Sequence, residues 1–239
     1  MNEKTPYLHN ILNLSIKTMH IKLLGDSITH GVGGSGIAQN GDPIVEGFAR
    51  NPNGYCWANL FKEYMQKHYD CIVTNNACTG TNIEFILERF DKLVDEQDDL
   101  IICMIGTNNR HQYFCDSPKH TPEEHLEEFY QNIIKLHQRF IASGKPEIFM
   151  AGIPASSENE QDGEDYWRLF HMDDVCASYK KAAKELGFPL ISMYDLFLDY
   201  CDLYKIKADS LLCDGLHPND TGYEVMFSLI KKALLDTND

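Results

Sequence analysis

The sequence predicts an α/β chain, a three-layer α/β/α sandwich around a five-stranded, mostly parallel sheet. Two observations carry that class. Five short apolar runs recur along the 239 residues, at 20–25, 71–75, 99–105, 147–153 and 188–193, rich in β-branched and sulfur-bearing side chains. Such runs mark strands buried on both faces. Segments of helical period lie between them, and strand alternating with helix is the pattern of a parallel sheet covered on both sides.

Each element has its own signal. The first run, HIKLLG, follows a lead-in over residues 1–19 that Asn10, Asn13, Ser15 and Lys17 interrupt. Residues 55–67 then place Trp57, Leu60, Phe61 and Tyr64 at i, i+3, i+4 and i+7, the spacing of a helix with one apolar face. After CIVTN, residues 83–94 repeat that period with Ile83, Ile86, Leu87, Phe90 and Leu93. Asp95, Glu96, Asp98 and Asp99 read as a solvated loop before the third run, DLIICMI. Thr121-Pro122-Glu123-Glu124 supplies an N-cap, a proline at the first helical position and acids in the first turn, opening a helix to about Ser143. Gly144 and Pro146 end it. The runs EIFMAGI and FPLISM bracket a helix over 167–186, and a last helix follows Pro218 to about Leu235. No linker, composition shift or internal repeat divides the chain, so residues 20–239 are expected to form one domain.

Composition narrows the function classes. Hydrophobic residues at 43% and charged residues at 24% suit a packed globular chain and exclude disorder. With 21 Lys+Arg against 36 Asp+Glu the net charge is -15, a field that repels phosphate backbones, so no nucleic-acid partner is expected. Eight cysteines lie scattered without a C-x-x-C pair, as small buried thiols do in a reducing compartment. The N-terminal stretch lacks the unbroken apolar segment of a secretion signal, and no run reaches the ~20 residues of a membrane span. A cytoplasmic location with no membrane span is the expectation.

Ligands of open parallel sheets sit outside the carboxyl ends of the strands. Gly25-Asp26-Ser27-Ile28-Thr29-His30-Gly31 follows the first run, Asn75-Asn76-Ala77-Cys78-Thr79-Gly80 ends the second, and Gly106-Thr107-Asn108-Asn109 follows the third. Asp214-Gly215-Leu216-His217-Pro218-Asn219 immediately precedes the last helix. A lone serine in a turn is ordinarily a cap. Ser27 has company. Acyl transfer by serine needs a nucleophile, a base, a carboxylate that orients the base, and donors for the oxyanion. Ser27, His217, Asp214 and the Gly80/Asn108 pair supply all four, and Asp and His three residues apart on a tight turn can direct both side chains to one side.

These four blocks resemble those of the SGNH hydrolases, the GDSL esterase/lipase family, in order and spacing from about residue 20 to 235. The resemblance implies a flavodoxin-like SGNH hydrolase fold, with Ser27 as nucleophile and its N–H as an oxyanion donor beside the Gly80 N–H and the Asn108 side-chain amide. It implies His217 as base and Asp214 as its orienter, and no metal or organic cofactor. Three positions depart from the family's pattern: Ile28 replaces leucine, Ala77 stands where glycine is frequent, and Asn109 stands where the third block often has Asp. None removes a catalytic group.

A rival motif, Gly31-x-Gly33-x-x-Gly36, matches the dinucleotide fingerprint, but that fingerprint needs a helix to open at once and an acid about 20 residues on. Gly41, Pro43, Gly47 and Pro52 follow instead, predicting a long loop. His111, His120, His125, His137 and His171 lack the paired spacings of zinc ligands. Loops 32–54, 107–121 and 154–166 are expected to ring the pocket, carrying Phe48, Arg50, Tyr113, Phe114 and Tyr166 among many polar residues. The expected partner is a small polar ester, foremost an acetylated carbohydrate. A lysophospholipase or thioesterase is the alternative within the family, and a non-catalytic glycan-binding module the alternative outside it.

Overall fold

The structure, a computed structural model, describes residues 17–36, 42–45, 48–50, 54–111, 121–160 and 168–235. Residues 1–16 of the lead-in lie outside them. Strand β1 spans Met19–Gly25 and is followed at once by the four-residue helix α1, Ser27–His30. Asp42–Val45 and Phe48–Arg50 form an antiparallel pair, β2 and β3, within the segment expected to be loop throughout. Then come α2 (Trp57–His68), β4 (Cys71–Asn75), α3 (Ile83–Leu93) and β5 (Leu100–Met104). They are followed by α4 (Pro122–Ala142), β6 (Glu147–Ala151), α5 (Met172–Leu186), β7 (Leu190–Ser192), α6 (Met193–Tyr204) and α7 (Asp220–Leu235).

The large sheet has the order β4-β1-β5-β6-β7, and every pairing in it is parallel. β1 lies between β4 and β5, with Ile21 opposite both Val73 and Leu100. The side chains sort onto two faces because successive residues of a strand point opposite ways. Ile21 and Leu23 join Trp57, Phe61, Phe197, Tyr223 and Ile230 on the side of α2, α6 and α7. Leu24, Ile101 and Cys103 join Ile86, Phe129, Phe140 and Tyr179 on the side of α3, α4 and α5. These are the three expected layers, and burying each such large side chain contributes roughly 1.5–3 kcal/mol.

Three further sequence expectations need correction. The acidic segment before β5 is not wholly solvated: Lys22, 1% exposed within β1, pairs with Asp95 at 2.6 Å and with the buried Asp98 at 3.5 Å. A lysine inside the sheet must be matched by carboxylates. The helix expected over 167–186 starts only at Met172, and Arg168 instead forms an isolated bridge with His111, while 161–167 lie outside the described residues. Helix α6 was not expected at all, because its apolar residues follow the fifth strand without a break. The capping box at Thr121 forms as its sequence suggests, with Thr121 Oγ1 accepting the Glu124 N–H and Glu124 Oε2 accepting the Thr121 N–H. Among the described residues no helix is long and apolar enough to cross a membrane.

The order of the sheet fixes where a site can form. The chain leaves β1 for β4 on one side and returns to β5 on the other, so a crevice opens above the carboxyl ends of β1 and β5. The loops after β1, β4 and β5 all meet there.

Candidate active site

Ser27 is the first residue of α1, directly past the end of the central strand, and is 7% exposed. Asp26 caps this single turn: its Oδ1 accepts the Ile28 N–H at 3.0 Å. Burial pushes the Asp26 carboxyl above the ordinary carboxylate range, against that N–H. Gly31, at φ 110, closes the turn in the left-handed region that suits glycine. Space enforces a second glycine, because a Cβ on Gly33 would lie 2.4 Å from the Pro218 carbonyl oxygen and 3.2 Å from His217 Cβ. The glycines of the apparent dinucleotide fingerprint thus follow a helix rather than open one, and they let the serine loop touch the histidine loop.

That second loop bends tightly before α7. Asp214 Oδ1 accepts the N–H groups of Leu216 at 3.0 Å and His217 at 2.7 Å, which turns the backbone so that both side chains face one way. Asp214 Oδ2 then lies 2.7 Å from His217 Nδ1, and His217 Nε2 lies 2.8 Å from Ser27 Oγ. An ionised carboxylate only accepts, so Nδ1 carries the ring proton and Nε2 is the acceptor for the serine hydroxyl. Partial burial would raise the Asp214 carboxyl, but the His217 N–H, the His217 ring and the Leu216 N–H outweigh it and hold the group below its ordinary range. The neighbouring Cys213 thiol is exposed, yet desolvation and Asp214 push its pKa up, away from thiolate chemistry.

The sequence-predicted donors come to the same crevice. Gly80 sits on the exposed turn after β4 at φ +75, in open space. Asn108 opens the 3₁₀ turn Asn108–Arg110 after β5 and is 8% exposed. One of its amide protons goes to the carbonyl of Thr81, the residue after Gly80, at 2.8 Å. That bond fixes the amide plane and leaves the second proton to serve a ligand.

Supporting residues had weaker signals in the sequence. Asn75, the last residue of β4, donates to the Thr29 carbonyl at 2.9 Å and accepts the Ala77 N–H at 3.0 Å, joining the first two blocks. Asn109, the departure in the third block, accepts the Ile83 N–H at 3.1 Å and donates to Glu84 at 2.8 Å, so its amide uses both ends where a carboxylate could only accept. Ligand-type atoms of His171, Asp173 and Asp174 lie within 4.8 Å of one another at the start of α5, where Asp174 caps the His171 N–H. Phe48 and Arg50 fall on β3; Tyr113, Phe114 and Tyr166 lie outside the described residues.

The model of the GDSL-like lipase/acylhydrolase family matches residues 23–225, nearly the whole sheet and all four blocks. The chain belongs to that family. It is an acylhydrolase, a serine carboxylic ester hydrolase by membership. Solved structures with the same fold include an acetylxylan esterase from Geobacillus stearothermophilus at 19% identity, TM-score 0.66, covering 92% of this chain and 95% of that one. A lipase/acylhydrolase from Enterococcus faecalis is similar at 20% identity and TM-score 0.65, covering 93% and 100% of the two chains. Catalytic mutants of the Geobacillus esterase replace a serine, an aspartate and a histidine. No curated protein matched the chain.

Proposed function

We propose that this acylhydrolase hydrolyses small acyl esters, foremost acetyl esters of a carbohydrate or another small polar molecule, through an acyl-enzyme on Ser27. The observation that carries the mechanism is the unbroken line Asp214–His217–Ser27, with steps of 2.7 and 2.8 Å, at the carboxyl end of the central strand. Ser27 Oγ attacks the ester carbonyl carbon while its proton passes to His217 Nε2. Asp214 holds the imidazole in the accepting tautomer and balances the charge that forms on it. In this reading the Ser27 and Gly80 N–H groups and the second Asn108 amide proton are the donors to the oxygen that becomes negative. Nε2 returns the proton to the leaving alkoxide, and a water, deprotonated by the same nitrogen, releases the acid. Residues 20–239 act in this as one domain.

The acetyl preference is supported by the polar character of the loop sequences and by the named activity of the Geobacillus relative, whose replaced catalytic residues are of the types found at Ser27, Asp214 and His217. Each buried methylene is worth about 0.8 kcal/mol, so a site built for long chains gains several-fold in kcat/KM for every two carbons. Hydrolysis of acetyl, butyryl, octanoyl and palmitoyl esters below their micellar concentrations tests the proposal, alongside acetylated xylo-oligosaccharides. Acetyl esters should be best. A maximum at eight carbons or beyond would assign a lysophospholipase or thioesterase activity instead.

A further inference from the structure

The turn that touches the catalytic loop is tied down by an arginine that solvent does not reach. Arg110 ends the 3₁₀ turn carrying Asn108 and is 0% exposed. Its Nη1 donates to Glu160 Oε1 at 2.7 Å and its Nε to the Thr107 carbonyl at 3.2 Å. The same Glu160 oxygen accepts the Met172 N–H at 3.3 Å, at the start of α5, and the Arg110 carbonyl accepts the Leu169 N–H at 2.7 Å. A guanidinium cannot shed its charge and is costly to bury, so the fold retains it here only with Glu160 beside it.

From Glu160 a short path leads to the acid–base loop. The Glu160 N–H bonds the Ser156 carbonyl at 3.0 Å and the Asn159 N–H bonds Ser156 Oγ at 3.1 Å, closing residues 156–160 into one turn. The Ser156 N–H then donates to the Gly215 carbonyl at 2.8 Å. Contact is so close that a Cβ on Gly215 would stand 2.5 Å from Ser156 Oγ. Gly215 lies between Asp214 and His217 in a loop pinched at its base by the Cys213 N–H and the His217 carbonyl, 2.8 Å apart, so Ser156 supports its tip.

We propose that Arg110 is a positioning residue: with Glu160 it locks the 156–160 turn against Gly215, and so holds Asp214 and His217 in line with Ser27. Through its own 3₁₀ turn it sets Asn108 at the same time. The inference rests on the serine-esterase reading above and deepens it, because base and oxyanion donor sit on separate loops that one buried ion pair keeps in register.

The test compares Arg110→Met, Arg110→Lys, Glu160→Gln and Arg110→Met/Glu160→Met with the wild type. Steady-state kinetics on a chromogenic acetate ester and the downfield proton resonance of His217 Nδ1–H are read for each folded protein. Arg110→Met should lose roughly 10–100-fold in kcat with KM within about twofold, since small misplacements of catalytic groups cost rate rather than binding. Its downfield resonance should broaden, Arg110→Lys should recover part of both, and the double variant should be no worse than Arg110→Met because the two residues act as one unit. Wild-type kcat and an unchanged resonance in folded Arg110→Met would overturn the proposal, as would additive losses in the double variant. If Arg110→Met does not fold, Glu160→Gln and Ser156→Ala decide on the same two readouts. A resonance lost in the variants of a wild type that hydrolyses no ester would leave the positioning role standing and remove the esterase reading.

Discussion

His217 Nε2 lies 2.8 Å from Ser27 Oγ although 190 residues separate them. The contact depends on α7 as much as on β1. The Tyr223 hydroxyl donates to the Val32 carbonyl at 2.6 Å, and the Ser35 N–H donates to Asp220 Oδ1 at 2.7 Å, so the first turn of α7 grips the loop that follows the serine. Gly33 completes the join by lying directly on Pro218 and His217.

Gly33→Ala should therefore separate the pair. The new Cβ would sit 2.4 Å from a backbone oxygen at φ +96, where neither the neighbour nor an L side chain can yield cheaply. Activity should fall at least roughly tenfold and the thermal midpoint should drop by several degrees, as expected for about 1–3 kcal/mol of strain. Unchanged kinetics in Gly33→Ala would mean that the two loops do not depend on each other.

Asn108→Ala removes a donor held in place by the Thr81 carbonyl. Loss of one preorganised oxyanion donor costs roughly 10²–10³ in kcat with little change in KM. A rise in KM alone would reassign Asn108 to substrate binding.

The carboxylate behind His217 gives a further prediction. Asp214 is held below the ordinary carboxylate range, so it stays ionised at mildly acid pH and keeps its hold on the His217 ring. Asp214→Asn should cost roughly 10²–10⁴ in kcat by removing the acceptor that fixes the accepting tautomer. Wild-type kcat in Asp214→Asn, with chemistry rate-limiting, would show that the ring does not depend on this carboxylate.

Acid pH should act on stability through His111. Burial and the cations Arg110 and Arg168 push this imidazole down to about 4. Between about 6.5, the unfolded value, and about 4 the unfolded chain binds a proton that the folded one does not, so stability falls as pH drops through that window. His111→Gln should remove this component. Thermal midpoints of the two proteins at about pH 7 and about pH 4.5 should therefore converge or cross at the lower pH. Parallel curves would show that His111 titrates alike in both states.

The parallel sheet was legible because both its faces are covered, which makes its strands mostly apolar runs, and the helices α2 and α3 showed their period plainly while α4 showed its cap and its stop. Helix α6 was not, since Met193–Tyr204 continues the apolar run of β7 and its N-cap Ser192 makes no side-chain bond to a helix N–H. Ser27, Gly80 and Asn108 stood out by residue type and by position just beyond strands, and Asp214 and His217 by residue type and by position just before the last helix. Their supports did not. Arg110, Ser156 and Glu160 look like ordinary polar loop residues in sequence, because what distinguishes them is burial and mutual contact across about 50 residues. Lys22 and Asp98 were hidden likewise: charged residues are normally read as solvated, and only the fold shows that they face each other.

That ion pair gives a stability prediction independent of catalysis. Asp98→Ala leaves Lys22 buried with only the half-exposed Asp95 as partner and should destabilise the protein by about 3 kcal/mol, whereas Lys22→Met/Asp98→Ala should cost less because it strands neither buried charge. Denaturant midpoints of the two variants decide the order.

The central claim, that Ser27 is the acyl-accepting nucleophile activated by His217, is tested most directly by labelling with a fluorophosphonate followed by peptide mass mapping. The wild type should lose esterase activity in step with one adduct located on Ser27, His217→Ala should label far more slowly, and Ser27→Ala should neither label nor turn over. An adduct on any other residue, or ester hydrolysis retained by Ser27→Ala, would contradict it.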